Sequence, residues 1–394
     1  MKITLEKIEK HDDPYQLFLD YFKNNETRRK YNKILLRFLE LVPNKLYEDS
    51  GIAPPKYQQV GILASCFIQL AEKNPKLVRN IIASYLEEDN KLVEDGKLNP
   101  NTVPNHIKPI KALLDSNNIP LHWKSLTRMF PRKKVTEDRA YTREELQRMI
   151  EASPDITDKL IIEIFSSAGF RLESWDYFTW KDVIPFKKDD GSFKGAALLV
   201  YRGDPESYWT FITPEACQTL ENYKQVWKEE VNQYPKPDDP LLKAIRFSSV
   251  RRLYAKGVKR RLEKTVKRIG IRQALPETKR RHEIPLDHGF RKYFNTMMRR
   301  AKVNYLDKED MMGHTTGLEK HYERYNEEDF ERFSEYEKAI PFLTISDTER
   351  TKFENRKLKS EKAELEKNIP QLVNEAIERV KNELITDGYK PHNQ

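Results

Sequence analysis

Cysteine is almost absent from this 394-residue chain. The only two, Cys66 and Cys217, lie far apart with no CxxC spacing. That excludes a disulfide framework and a cysteine-based zinc site, and it suits an intracellular compartment. Long apolar runs are missing as well. The longest, "GILASCFIQLA", falls far short of the roughly 20 residues needed to span a bilayer. The opening "MKITLEKIEKHDDP" lacks the apolar stretch of a signal peptide. No internal repeat or low-complexity tract is visible. A soluble cytoplasmic protein with no membrane partner is the expectation.

Charge, by contrast, is abundant. Charged residues make up 34% of the chain and the net charge is +9, against a usual charged share of about 25%. Between Arg246 and Arg300 there are 18 Lys and Arg against 4 Asp and Glu, a local +14, which leaves −5 for the rest. One block therefore carries the whole basic excess. Inside a folded domain such a block is an electrostatic footprint for phosphate backbones.

The length favours more than one domain. Residues 1–130 read as a helical bundle, from the apolar spacing of "RRKYNKILLRFLELV", "YQQVGILASCFIQLAEK", "KLVRNIIASYLEE" and "VPNHIKPIKALLDS". Residues 131–141 read as a linker. There "FPRKKVTEDRAYTREEL" combines a proline and a basic cluster, and Thr142 with Glu145 forms a capping box that opens the next domain. Residues 142–330 are mixed. Helical patterns at "REELQRMIEAS" and "DKLIIEIFSSA" precede two β-rich runs, "AALLVYRGD" and "SYWTFITP", and a helix follows from Pro214. The fold class is mainly α with a small antiparallel β-sheet. Residues 331–394 form a charged tail with Leu358, Leu365 and Leu372 in register. It predicts a helical or coiled-coil arm, although Pro370 interrupts the run and fewer than four clean heptads are present; a solvated terminal helix is the plainer alternative.

Three stretches carry residues suited to chemistry. "DHGFRKYFNTMMRRA" predicts a helix from about His288, with Phe290, Phe294 and Met298 on one stripe and His288 and Arg291 beside the other face. A neutral histidine and a guanidinium at a helix start make a phosphate clamp, since the unpaired N–H groups there also favour an anion. From these two residues alone, a capping histidine and a solvated arginine are the simpler reading. In "SSAGFRLESWDYFTWKDV", Gly169 permits a tight turn and Arg171 follows, with Glu173 placed to grip its guanidinium. In "DMMGHTTGLEKHYERY", Gly313 reads as a helix cap that puts His314 at the mouth of the next turn. Tyr322 and Tyr325 come after it. A phenol is a usable nucleophile toward a phosphodiester once cations stabilise the developing charge. One tyrosine among 19 signals little.

The combination, in this order within one domain, resembles the tyrosine recombinase (phage-type integrase) family, and is most similar to its archaeal members. The resemblance covers about Arg139 to Tyr325, and the preceding bundle suits the family's SAM-like core-binding domain, a DNA-binding module. It implies a site-specific recombinase or integrase that binds double-stranded DNA, works as a homotetramer on two duplexes, and is nucleoid-associated. It implies that Arg171 and Arg291 grip the scissile phosphate, that His288 transfers a proton, that His314 hydrogen-bonds the phosphate, and that Tyr322 attacks phosphorus to give a 3′-phosphotyrosyl link. Neither metal nor cofactor is implied. Arg251, Arg252, Lys256, Lys259 and Arg260 are assigned to the DNA backbone.

Two positions depart from the family pattern. The hairpin tip "VYRGDPESYW" has Arg202 where a general-acid lysine is expected, and arginine is a poor proton donor. Lys194, at the start of that strand, is the substitute. Glu173 stands two positions after Arg171 rather than three. A DNA-binding protein that kept the fold without catalysis is the main alternative. A metal nuclease built on His282, Asp287, His288 and His314 is a third reading, although no pair has a familiar ligand spacing.

Overall fold

Asp13, Asn24 and Asn74 each accept backbone N–H bonds at a helix start. Pro14 and Pro75 follow in the first turn, where a missing N–H costs nothing. These signals help set the helices α1 (Pro14–Asp20), α2 (Asn25–Leu39), α3 (Asn44–Asp49), α4 (Val60–Lys73), α5 (Pro75–Glu94), α6 (Val103–Ser116) and α7 (Trp123–Thr127). Phe18, Leu35, Phe38, Phe67, Ile82, Leu86, Ile110 and Leu113 form their shared core. Among them Phe38 and Phe67 meet edge to face with ring centroids 5.3 Å apart. The computed structural model describes residues 13–135, 138–244, 250–275, 281–314 and 331–386. It divides into two units, 1–136 and 137–394.

The second unit opens with α8 (Arg143–Glu151), started by the capping box that the sequence predicts: Glu145 N–H donates to Thr142 Oγ1 at 3.2 Å, and Thr142 N–H to the Glu145 carboxylate at 2.8 Å. Next comes α9 (Ile156–Ala168), buried on every face from Leu160 to Ala168. A helix apolar nearly all round belongs in a core. Three antiparallel strands follow in the order β1 (Val183–Lys187), β2 (Phe193–Val200) and β3 (Tyr208–Ile212). β2 and β3 pair with Val200 opposite Tyr208 and Ala196 opposite Ile212. Sequence reasoning did not find β1. Its central Pro185 argues against a strand, yet β1 pairs only with β2, and an edge strand tolerates a missing donor.

Helices α10 (Pro214–Val231), α11 (Ala255–Arg268), α12 (His288–Arg300), α13 (Tyr305–Met311), α14 (Glu331–Glu337), α15 (Ile340–Leu343) and α16 (Asp347–Thr386) complete the unit. The chain is thus mostly helical with one small antiparallel sheet. α16 runs through Pro370 where the sequence suggested a break. Proline removes one hydrogen bond, and on a solvated helix water can serve the freed carbonyl. No described helix is long and apolar enough to cross a membrane.

One buried carboxyl in this core makes no hydrogen bond of good geometry. Glu163 on α9 is 1% exposed, and Lys159 Nζ stands 3.8 Å away. Burial, aided by the nearby Glu215 charge, pushes the Glu163 pKa up to about 8. The folded state therefore holds a proton that the unfolded chain has released, so this contribution to stability is full below the unfolded pKa and is lost as pH rises toward 8. Glu163→Gln keeps the shape and removes the titration. The expected outcome is a Tm at pH 8 higher than that of the parent by on the order of 5 °C, with little difference at pH 5. Equal Tm differences at both values would contradict it.

Candidate functional site

The site is assembled where two helices end. α9 stops at Gly169, which adopts a left-handed conformation with φ of 62°. A Cβ there would lie 2.4 Å from the Phe294 ring, so both the turn and the close packing of α12 demand glycine. The chain then turns through Arg171 into a short 3-10 segment, Leu172–Asp176, pinned by buried Leu172, Ser174 and Trp175. α13 stops in the same way. Gly313 has φ of 66°, and a Cβ would lie 2.3 Å from the Tyr208 ring. His314 follows, with its N–H on the Glu309 carbonyl at 3.0 Å.

Arg291 joins these two ends. It lies on α12, is only 5% exposed, and donates from Nη1 to the Gly169 carbonyl at 2.7 Å and from Nη2 to the Met312 carbonyl at 2.6 Å. The last carbonyls of a helix are unpaired and carry partial negative charge, so a cation is favoured at each end. Neighbouring side chains serve the other carbonyls of α9: Thr210 Oγ1 donates to Ala168 at 2.9 Å and the Tyr336 hydroxyl to Ser167 at 2.9 Å.

Arg291 Nη2 also lies 2.6 Å from His314 Nε2, and His314 Nδ1 lies 2.6 Å from Glu309 Oε2. Guanidinium only donates, so Nε2 accepts and the ring proton sits on Nδ1, directed at the carboxylate. Burial pushes the Glu309 carboxyl up, but hydrogen bonds from Lys308 and His314 outweigh it and hold the group below the usual carboxylate range. Among the described residues no carboxylate pairs directly with Arg291. Burial holds its guanidinium below the usual arginine range, the Arg171 charge lowers it further, and the Tyr208 phenol opposes both. The Tyr208 hydroxyl is buried beside Arg291 and makes no hydrogen bond of good geometry. Tyr201, at the hairpin tip, stacks edge-on with Tyr208 at 6.4 Å, and burial pushes its pKa up while the nearby Arg171 charge opposes the rise.

His288 occupies the first turn of α12. Burial lowers its pKa and the positive charge of Arg291 lowers it further, so the ring is neutral at pH 7 and able to accept a proton. Arg171 is exposed beside this group. Glu173 is exposed too, and the expected ion pair between it and Arg171 does not form among the described residues. Tyr322 and Tyr325 lie outside the described residues.

The two hairpin substitutes do not join the cluster. Arg202 is committed to buried Asp182 at 2.5 Å and to the Lys181 carbonyl at 3.1 Å. Lys194 sits at the far end of β2 from Tyr208, where it pairs with Glu337 at 3.2 Å and lies over the Phe333 ring. Six residues of strand separate it from Val200, about 20 Å. Among the described residues no three His, Cys, Asp or Glu side chains are gathered to hold a metal ion, so the set His282, Asp287, His288 and His314 is not assembled as ligands.

The basic residues divide. α11 buries Ala255, Val258, Leu262 and Val266 and is held to the start of α9 by Arg261, whose guanidinium reaches Asp155 and Asp158 at 2.5 Å each. Lys256, Lys259 and Arg260 on its outer face are exposed, as is Arg251 just before it. Arg252 is different. It is half-buried, and its guanidinium donates to the Phe178 carbonyl at 2.5 Å, so it serves as a strut within the fold. Sequence reasoning missed Glu309 and Tyr208. Glu309 stands five residues before His314 across a helix end, a spacing that signals it, whereas Tyr208 arrives through strand pairing and leaves no local trace.

No protein-family model matches the sequence, and no curated protein matches it. Solved structures do. A lambda integrase tetramer bound to a Holliday junction is 13% identical over 82% of this chain and 81% of that one, with a TM-score of 0.47. XerA recombinase is 15% identical, covering 81% and 95%, with a TM-score of 0.35. The Tn1549 transposon integrase in complex with circular intermediate DNA is 16% identical, covering 64% and 83%, with a TM-score of 0.40. With identity and TM-score this low, the functional reading is left to rest on the side chains.

The hydrogen-bond pattern fixes one observable. In nitrogen NMR the neutral form of the His314 ring is expected to carry its proton on Nδ1, and Glu309→Ala, which leaves the Arg291 donor in place, should keep that tautomer while removing the hydrogen-bond shift of the Nδ1 proton. An Nε2-protonated ring in the parent protein would contradict the arrangement.

Proposed function

We propose that the second unit is a DNA strand transferase of the tyrosine recombinase type. The observation that carries this is the Arg291 guanidinium, buried at the junction of two helix ends without a carboxylate partner among the described residues. A buried cation lacking a counter-charge is costly, and a phosphate oxygen would supply that charge. Exposed Arg171 stands ready to take a second nonbridging oxygen. Two guanidinium groups stabilise the extra negative charge of a pentavalent phosphorus. Neutral His288 accepts the proton released as the Tyr322 hydroxyl attacks. The bond from phosphorus to the 5′-oxygen breaks, that oxygen takes one proton from water and leaves as a 5′-hydroxyl, and the 3′-phosphotyrosyl link keeps the strand activated for a second 5′-hydroxyl. For His314 to hydrogen-bond the phosphate, Nε2 takes up a proton and exchanges its bond from Arg291 for one to a phosphate oxygen, while Glu309 keeps hold of Nδ1–H. The substrate is double-stranded DNA, brought together as two duplexes on a homotetramer. The narrower likeness to archaeal integrases rests on the stretch from Gly313 to Tyr325. A DNA-binding protein without catalysis would leave the joint presence of Arg171, His288, Arg291, His314 and Tyr322 unexplained.

A pool of nicked duplexes of random sequence, quenched in detergent, is expected to yield a covalent protein–DNA adduct. Tyr322→Phe should abolish it and Tyr325→Phe should preserve it. An adduct that survives Tyr322→Phe sinks the assignment of the nucleophile, and no adduct from the parent protein sinks the reaction.

Arg251, Lys256, Lys259 and Arg260 are proposed to neutralise backbone phosphates. Replacing all four by alanine is expected to reduce the slope of log affinity against log salt by about 3 to 4, near 0.9 for each phosphate no longer neutralised. An unchanged slope would remove the outer face of α11 from the DNA interface.

A further inference from the structure

Helix α16 presents Leu358, Leu365, Ile369, Val373, Ile377 and Val380 to solvent, each between 47% and 61% exposed. Their order along the chain is regular. Leu358, Ile369 and Val380 stand eleven residues apart, and the positions four and seven further on extend the same line: Lys362 and Leu365, Val373 and Ala376, then Leu384. All but Lys362 are apolar. Eleven residues complete three turns at about 3.67 residues each, so this line stays on one side of the helix with little drift. A heptad reading from Leu358 passes through Leu365 and Leu372 and then meets Arg379, so the eleven-residue period describes the helix better.

We propose that this line is a seam on which a second copy of this chain docks, helix against helix, in a coiled coil of eleven-residue period. Length supports it. The line from Leu358 to Leu384 spans about 40 Å of helix, room for a contact of more than two eleven-residue periods. Charge selects the partner. From Leu358 to Val380 there are four Lys and Arg (359, 362, 367, 379) against five Glu (361, 364, 366, 375, 378), interleaved along the helix. A nucleic acid finds no basic stripe there, and a strongly charged protein finds no complement, whereas an identical helix brings both signs to both signs. Lys362 is the one polar position on the line, with the Glu366 carboxylate 3.8 Å from its Nζ. A single polar residue in such a seam fixes register at some expense of stability. Pro370 lies one residue past Ile369, to the side of the line. The seam requires no DNA, which separates it from assembly on duplexes.

Sedimentation of the full chain without DNA tests this directly. The parent protein is expected to associate at micromolar concentration, and the double variant Ile369→Glu, Val373→Glu to sediment as a monomer with its helical circular dichroism retained. Lys367→Glu with Asn374→Glu places the same number of acidic residues away from the line and should still associate. If the seam variant loses helicity, Ile369→Ser with Val373→Ser repeats the test without added charge. A monomeric parent protein, or seam and control variants that associate equally, would overturn the proposal. Because catalysis is not read, failure of the strand-transfer reading leaves this result unaffected.

Discussion

The second unit depends on one guanidinium. Arg291 is buried, yet its bonds run to the backbone carbonyls that close α9 and α13 and to the ring of His314. Helix ends supply unpaired carbonyls, and here two of them supply the partners of one arginine. The turn that carries Arg171 and the turn that carries His314 are thereby held to a common point. Lysine, with one compact ammonium group, does not span that geometry. Removing Arg291 would disturb both turns as well as the charge, so its loss alone cannot separate chemistry from folding.

The two glycines at those ends are the steric half of the same arrangement. Gly169 lets Phe294 approach and Gly313 lets Tyr208 approach, each at a distance that no side chain would permit. Arg291 is buried with the Tyr208 ring beside it, and a charge so shielded from water interacts more strongly with its neighbours. His314 is constrained by donor chemistry: an arginine on one nitrogen and a carboxylate on the other allow a single tautomer. The result is a fixed set of donors and charges, oriented by the fold itself.

Much of this was legible in the sequence because it is local. The capping box at Thr142, the glycine turn before Arg171, the helix from His288 and the cap at Gly313 are each set by a few consecutive residues. What was illegible depends on pairing at a distance. Lys194 and Arg202 are both near the hairpin in sequence, but strand register sends Lys194 to Glu337, and Asp182 claims Arg202. Tyr208 reaches Arg291 through its pairing with Val200, and β1 hides behind Pro185. Arg252 lies within the basic block and reads as a DNA contact until its bond to Phe178 is seen. Tyr322 remains a reading of the sequence, since it lies outside the described residues.

The root of α16 gives the tail a mechanical character. Glu215, in the first turn of α10, accepts the backbone N–H groups of Ile345 and Ser346 at 2.8 Å each, just ahead of the helix. Burial raises the Glu215 pKa, while those two N–H bonds oppose the rise. Near it in the core lies Glu163, on the helix that ends beside Arg171. A 40-residue helix is about 60 Å long, so each degree of rotation at its root displaces the far end by about 1 Å. The tail is a lever with its fulcrum on one carboxylate. A force gathered along its length would act, with the corresponding mechanical advantage, on α10 at Glu215 and on its neighbour α9, the helix that ends beside Arg171.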